Sequence, residues 1–320
     1  MRKFVLALFA IIFCTSCEKD LETMKSPIIN GLSFDNYPIT DCSTSASPLN
    51  TLIACELLGI GSRWEYKFES GEWFLEPRLN SGNYREFRGK VKSTTTHNSF
   101  INLIEGSADL IFVARKMSAN EKEHADAAGV SLIGTPIARD AFVFIVHPDN
   151  PIESLTIGQI QDIYTAKVRN WSDVGGNNTT IKPYIREANS GSQELMETLV
   201  MKDWDMQDYF SVYKENVYTL WGMTGAIRAV SSDVNVNSIC YTIHYYKEHI
   251  IRKKSTKSIG VEGVFPNSKT IGNNTYPFVE PVYAVIRSDL DKSSMAYKIY
   301  EWLQTDAGKK AIVKSGYLAY

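Results

Sequence analysis

The sequence predicts a layered α/β fold, on three observations. Short apolar segments of strand length recur along the chain, and amphipathic stretches of helix length fall between them. The 320 residues, 44% hydrophobic, 22% charged and 12% aromatic, are also enough for two ordinary domains. The strand candidates are ADLIFVA (108–114), AFVFIVH (141–147), TIKPYI (180–185), SICYTIHYY (238–246) and PVYAVIR (281–287). The helical candidates are PLNTLIACELLG, HNSFINLIEG, TIGQIQDIYTA, SQELMETLVM and the C-terminal SSMAYKIYEWLQTDAGKKAIVKSG. Strands and helices taken in turn give sheets faced by helices.

Arg2 and Lys3 precede an apolar run from Phe4 to Phe13 that is too short to span a bilayer, so the N-terminus reads as a targeting segment. The run ends in CTSC, small residues leading into Cys17, which resembles a bacterial lipobox. That resemblance implies a signal peptide over 1–16, removed by cleavage before Cys17, lipid attachment to that thiol, and a polar tether over 17–26. An ordinary secretory signal with an incidental cysteine is the alternative. Cys42, Cys55 and Cys240 remain; their odd number and lack of C-x-x-C spacing predict buried single thiols rather than a disulfide or a metal site.

A formal net charge of −2 without any long Lys/Arg run argues against a nucleic-acid partner, so a site for an anion has to be local. Three helix starts offer one. TSASPLNTLIACELLG opens with small hydroxyl residues, places Leu49, Leu52, Ile53 and Leu57 on one face and stops near Gly59. STTTHNSFINLIEG buries Phe100, Leu103 and Ile104 and stops at Gly106. In PYIREANSGSQELMETLV, Ser190 and Gln193 have capping-box spacing ahead of Leu195, Leu199 and Val200, and Arg186 stands just before. Each start exposes unsatisfied N–H groups at the positive end of a helix. A Ser or Thr cap explains any one of them; three, one with an arginine, point to an oxyanion.

In this order the segments resemble the PstS-like phosphate-binding lipoproteins of ABC transporters. The residues that carry the likeness are DCSTSASPL, EGSADLIFVARKMSANE, the run from DAFVFIVHPDN through NWSDVGG, and IREANSGSQE, with GMTGAIRAVSSDVNVNSICYTIHYY a weaker match. The resemblance implies a two-lobed type 2 periplasmic binding-protein fold with hinge strands and a ligand cleft between the lobes. Lobe 1 would take 27–138 plus 246–320, and lobe 2 would take 139–245. It implies an extracytoplasmic solute-binding lipoprotein in the bacterial cell envelope that captures phosphate or a related oxyanion for an ABC transporter permease, as a monomer without a cofactor. By position, Thr44 and Ser45, Thr96 and His97, and Arg186, Ser190, Gly191 and Ser192 would line the site.

One position departs from the family. Ala114 stands where phosphate-binding members carry an aspartate that accepts the ligand's proton, with Arg115 next to it. Arg115, if turned inward, would favour a more fully ionised anion, and Asp41 or Asp140 would be candidate substitute acceptors. Two other classes of function stay open. An enzyme finds little support, because the chain has no G-x-S-x-G, Walker A or H-E-x-x-H motif and its five histidines are scattered. A surface receptor or adhesion module with a repurposed cleft draws on the stretch Trp64–Phe87, rich in aromatics, which alternatively covers the edge of a lobe as core.

Overall fold

The computed structural model describes residues 28–204, 218–252 and 255–320. The expected signal peptide over 1–16, the expected lipidation site Cys17 and the expected tether over 17–26 lie outside the described residues.

The chain begins with β1 (Thr40–Cys42) and a 3-10 turn (Thr44–Ala46) leading into α1 (Ser47–Leu58). A hairpin of β2 (Ser62–Lys67) and β3 (Glu72–Pro77) is followed by α2 (Ser81–Lys90), α3 (Thr96–Ile104), β4 (Leu110–Val113) and α4 (Ala119–Ala127). The long β5 (Leu132–Val146) comes next, then β6 (Ser154–Leu155), α5 (Ile157–Tyr164), β7 (Lys182–Arg186) and α6 (Gly191–Leu195), which runs on as a π-helix (Met196–Met201). From residue 218 come β8 (Tyr218–Leu220), α7 (Gly222–Val230), β9 (Ser238–Ile243) and a π-helix (Tyr246–Ile251). The chain closes with β10 (Lys257–Ser258), β11 (Gly260–Val261), α8 (Ser268–Gly272), β12 (Val279–Arg287), α9 (Met295–Trp302), α10 (Asp306–Lys314) and β13 (Leu318–Ala319).

One mixed sheet runs in the order β1-β4-β12-β5-β9-β7-β8, with β10 and β13 also paired to β5. β5 joins its two halves. From Leu132 to Ala141 it pairs antiparallel with β12, and from Phe142 to Val146 it pairs antiparallel with β9. On one side β1 and β4 are parallel, and on the other β7 is parallel to both β9 and β8. The second half of β5 is buried throughout, which is why AFVFIV reads as a continuous apolar run rather than an alternating one. Phe142 and Phe144 pack there against Tyr241 and Phe278 with ring centroids 5.2 to 6.4 Å apart.

Some local expectations change. α1 is buried on almost every side rather than along one face: Asn50 and Thr51 are as buried as Leu49, and Asn50 is satisfied by accepting from Thr40 Oγ1 at 2.8 Å and donating to the Lys92 carbonyl at 2.9 Å. Gly59 does end it, in the left-handed region at φ 68°. The C-terminal pattern forms two helices. Thr305 caps the second by accepting from Gly308 N, and a Cβ on Gly308 would sit only 2.3 Å from the Trp302 carbonyl.

The aromatic stretch is not core in the way a lobe-edge cover would be. Trp64, Tyr66, Trp73 and Phe74 are half-buried and Phe68 is 86% exposed, while Leu75 and Phe87 alone of its large apolar residues are buried. The hairpin instead reaches sideways: Glu72 accepts from Thr224 Oγ1 at 3.0 Å and from the Tyr246 hydroxyl, and Arg228 of α7 donates to the Ser70 carbonyl at 2.8 Å. Cys42, Cys55 and Cys240 are buried free thiols.

Candidate anion-binding site

The two halves of the sheet face one another across a cavity of about 350 Å³. Thr44, Ser45, Thr96, His97, Arg186, Ser190, Gly191 and Ser192 all line it, so the three helix starts singled out in the sequence converge on one space. The first half contributes the loop after β1 and the start of α3. The second contributes the end of β7 and the start of α6.

The loop after β1 is held by the sheet, since Ser43 N donates to the Phe112 carbonyl of β4 at 2.9 Å. Ser43 Oγ accepts from Ala114 N at 3.1 Å and lies 2.9 Å from Thr96 Oγ1. Thr96 is therefore both buried, at 6% exposure, and oriented. Before it, Thr95 caps α3 by accepting from Asn98 N and adopts φ 110°, a conformation rare for a β-branched residue, on the cavity wall. The cap leaves the N–H groups of Thr96 and His97 without intrahelical partners.

On the other side Arg186 is 2% exposed. Its Nε donates to Glu187 Oε2 and to the Leu220 carbonyl, and its Nη2 to Glu187 Oε1, each at 3.1 Å. Its Nη1 is buried with no partner, which is costly for a charged donor unless something else meets it. The predicted capping box is only half made. Ser190 Oγ accepts from Gln193 N at 3.1 Å, but Gln193 does not reach back. Its Oε1 instead accepts from Arg186 N at 3.1 Å and from the Tyr241 hydroxyl, so the residue braces β7 rather than the helix cap. Gly191 meets the first half directly: a Cβ there would lie 2.6 Å from Thr96 Oγ1.

Ala114, 8% exposed, does lie on the wall, directly after β4. Arg115 and the two candidate substitute acceptors, Asp41 and Asp140, do not. Arg115 turns away and forms two 2.7 Å bonds to Glu121, because a guanidinium with only 2% exposure needs a carboxylate and finds one on α4. Asp41 accepts from Cys42 N, Thr94 N, Thr94 Oγ1 and Asn102 Nδ2, and so fixes the β1–α3 connection. Asp140 sits where β5 changes partner, accepting from Ala141 N at 2.8 Å and Tyr245 N at 3.0 Å; burial pushes its carboxyl up to about 7 despite those bonds. Sequence reasoning missed Ser43, Glu187, Asn189 and Trp221 as wall residues. Ser43 and Glu187 adjoin predicted residues and were within its reach. Trp221, 78% exposed, had no signal, since only the folded chain brings the start of α7 to the mouth.

The family described as "PBP superfamily domain" matches residues 75–306, most of the chain. This chain belongs to the PBP superfamily. Among curated relatives, the phosphate-binding protein PstS of Pseudomonas aeruginosa is 25% identical over 232 residues, which is 68% of this chain and 69% of that protein. The phosphate-binding protein PstS of Staphylococcus epidermidis is 26% identical over 230 residues, 69% of this chain and 66% of that protein. Among solved structures, a protein from Clostridium perfringens described as a phosphate ABC transporter substrate-binding protein with bound phosphate has a TM-score of 0.63 at 21% identity, covering 90% of this chain and 100% of that one. A phosphate transport receptor from Vibrio cholerae has a TM-score of 0.57 at 21% identity, covering 88% and 99%. The fold of this PBP-superfamily chain is the type 2 α/β arrangement. The matched region begins inside β3, so the rest of the hairpin and everything before it lie outside it.

Proposed function

We propose that this chain is the extracytoplasmic solute receptor of an ABC transporter, tethered through a lipid on Cys17, and that its cavity takes a tetrahedral oxyanion, phosphate first among them. The observation that carries this reading is Arg186, which lines a cavity rimmed by Thr44, Ser45, Thr96, Ser190 and Ser192 and whose buried Nη1 has no partner. An oxyanion accepts at every oxygen, and a forked guanidinium with hydroxyls and N–H groups on both sides can meet several at once. The named relatives and the phosphate-bound neighbour support phosphate as the ion to test first. The two lobes are read as 27–138 plus 246–320 and 139–245, a division supported by the change of partner on β5 between Ala141 and Phe142.

The site binds rather than catalyses on this reading. Ser190 Oγ is occupied as a helix cap, and the cavity's histidine is turned to Glu121 rather than to a serine. Calorimetry of the purified protein against phosphate, arsenate, sulfate and molybdate tests the proposal, with Arg186→Ala as the companion variant. Loss of a charge-assisted bond of about 1.5–3 kcal/mol, with Glu187 left as an unpaired carboxylate beside the ligand, predicts weakening by roughly a hundredfold. Equal affinity in the variant removes Arg186 from the site, and no binding of any anion ends the proposal.

A further inference from the structure

We propose that His97 is the group that senses whether the bound anion carries a proton, taking the part that a carboxylate at position 114 would have played. The inference rests on the anion-binding reading above. His97 borders the cavity and its side chain is 29% exposed. Its Nδ1 lies 3.0 Å from Glu121 Oε1. Glu121 is fully buried, takes both Arg115 bonds and also accepts from Ser118 N at 2.8 Å. Burial alone would raise that carboxyl, but the Arg115 bonds and charge hold it below the usual carboxylate range. A carboxylate without a proton can only accept, so the hydrogen in this contact belongs to His97 Nδ1.

The ring is thereby fixed in one tautomer. Nε2 is the nitrogen left to meet a ligand, and what it offers depends on charge: a neutral imidazole presents a lone pair there, and an imidazolium presents an N–H. Hydrogen phosphate brings a P–OH that can donate to the lone pair. Sulfate near neutral pH brings none, and its oxygens face the lone pair unfavourably until the ring is protonated. A carboxylate sensor has no proton to offer sulfate, whereas a histidine sensor rejects sulfate while its ring is neutral and donates to it once the ring is protonated.

The charges around His97 come from several elements. Glu121 and Arg115 face it from α4 and the turn before it. Glu194 of α6 stands across from that pair and interacts with both; burial raises its carboxyl. Arg186 and Glu187 border the same cavity, and His124, farther along α4, is turned to Glu105 at 3.5 Å. Glu187 is the other carboxylate on the wall, but both its oxygens are engaged, Oε2 by Arg186 Nε and Oε1 by Arg186 Nη2 and Gly222 N.

Sulfate does not titrate between about pH 5 and 8, so its affinity over that range reports the protein and not the ligand. In calorimetry, wild-type affinity for sulfate should fall about tenfold or more from the acid to the alkaline end, and preference for phosphate should rise with it. His97→Gln, which can donate or accept but does not titrate, should still bind sulfate and show a flat profile. Glu194→Gln and Glu187→Gln should keep the wild-type slope. A flat wild-type profile overturns the proposal, as does an unchanged slope in His97→Gln or a slope abolished by Glu187→Gln. Binding of neither anion at any pH overturns the anion-site reading and this inference together.

Discussion

Replacing Gly191 by alanine is the sharpest probe of how the halves meet. The added Cβ would lie 2.6 Å from Thr96 Oγ1 and 3.3 Å from Thr96 Cβ, where ordinary contact begins near 3.4 Å, so the two sides must part by about 0.8 Å. Thr96 cannot easily yield, because it is buried and its Oγ1 is tied to Ser43 Oγ at 2.9 Å. Overpacking of this degree costs about 1–3 kcal/mol, and here it falls on the closed arrangement rather than on either half alone. Anion affinity should drop by roughly 5- to 150-fold while thermal stability without ligand changes little. Removing the obstruction in Gly191→Ala/Thr96→Ala should make the double variant bind better than the two single losses added together predict. Calorimetry on the four proteins measures this. Wild-type affinity in Gly191→Ala would refute the idea that close approach of the two backbones holds the site shut.

Saturating phosphate should raise the melting temperature and reduce the radius of gyration in small-angle scattering, with about 2.7 kcal/mol of stabilisation at a hundredfold excess over Kd; a ligand that binds without compaction would count against closure. Asp140, pushed up to about 7 by burial, holds its proton in the folded state between about pH 4 and 7 where the unfolded chain has lost it, so its contribution is present below that window and fades as pH rises through it. Asp140→Asn should therefore gain on wild type from pH 5 to pH 8 in urea unfolding, by at most about 2.6 kcal/mol, and a constant difference would show that the carboxyl is not neutral in the folded protein. Cys17→Ala should move the protein from the detergent phase to the aqueous phase on expression in a lipoprotein-processing host; unchanged partitioning would remove the lipid anchor.

The sequence was legible where chemistry and backbone periodicity coincide. Three Ser/Thr-rich helix starts and Arg186 were readable because a cap has a local signature, and all eight candidate residues line one cavity. Side-chain partners beyond one helical turn were not readable. Nothing local says that Arg115, next to the departing Ala114, would turn to Glu121, or that Gln193 would abandon its cap for Tyr241 and Arg186. Both outcomes follow from burial: a deeply buried donor takes the nearest acceptor that the tertiary fold supplies. The hairpin misled for the same reason, since its aromatics are half-covered by cross-strand neighbours and by Arg252, whose guanidinium lies 4.3 Å from Trp64 and 4.8 Å from Trp73.

The path of β5 through the sheet bears on the order in which the molecule can be assembled. The strands β5, β7, β8 and β9 follow one another along the chain and can find each other early. β4 cannot: its antiparallel neighbour is β12, with Phe112 opposite Ala284. The part of the protein synthesised first is thus the last to complete its sheet, and high sequence separation of this kind slows folding. A nascent or truncated chain ending before Val279 would hold β4 and the first part of β5 with bare hydrogen-bonding edges, the exposure that invites pairing with another copy.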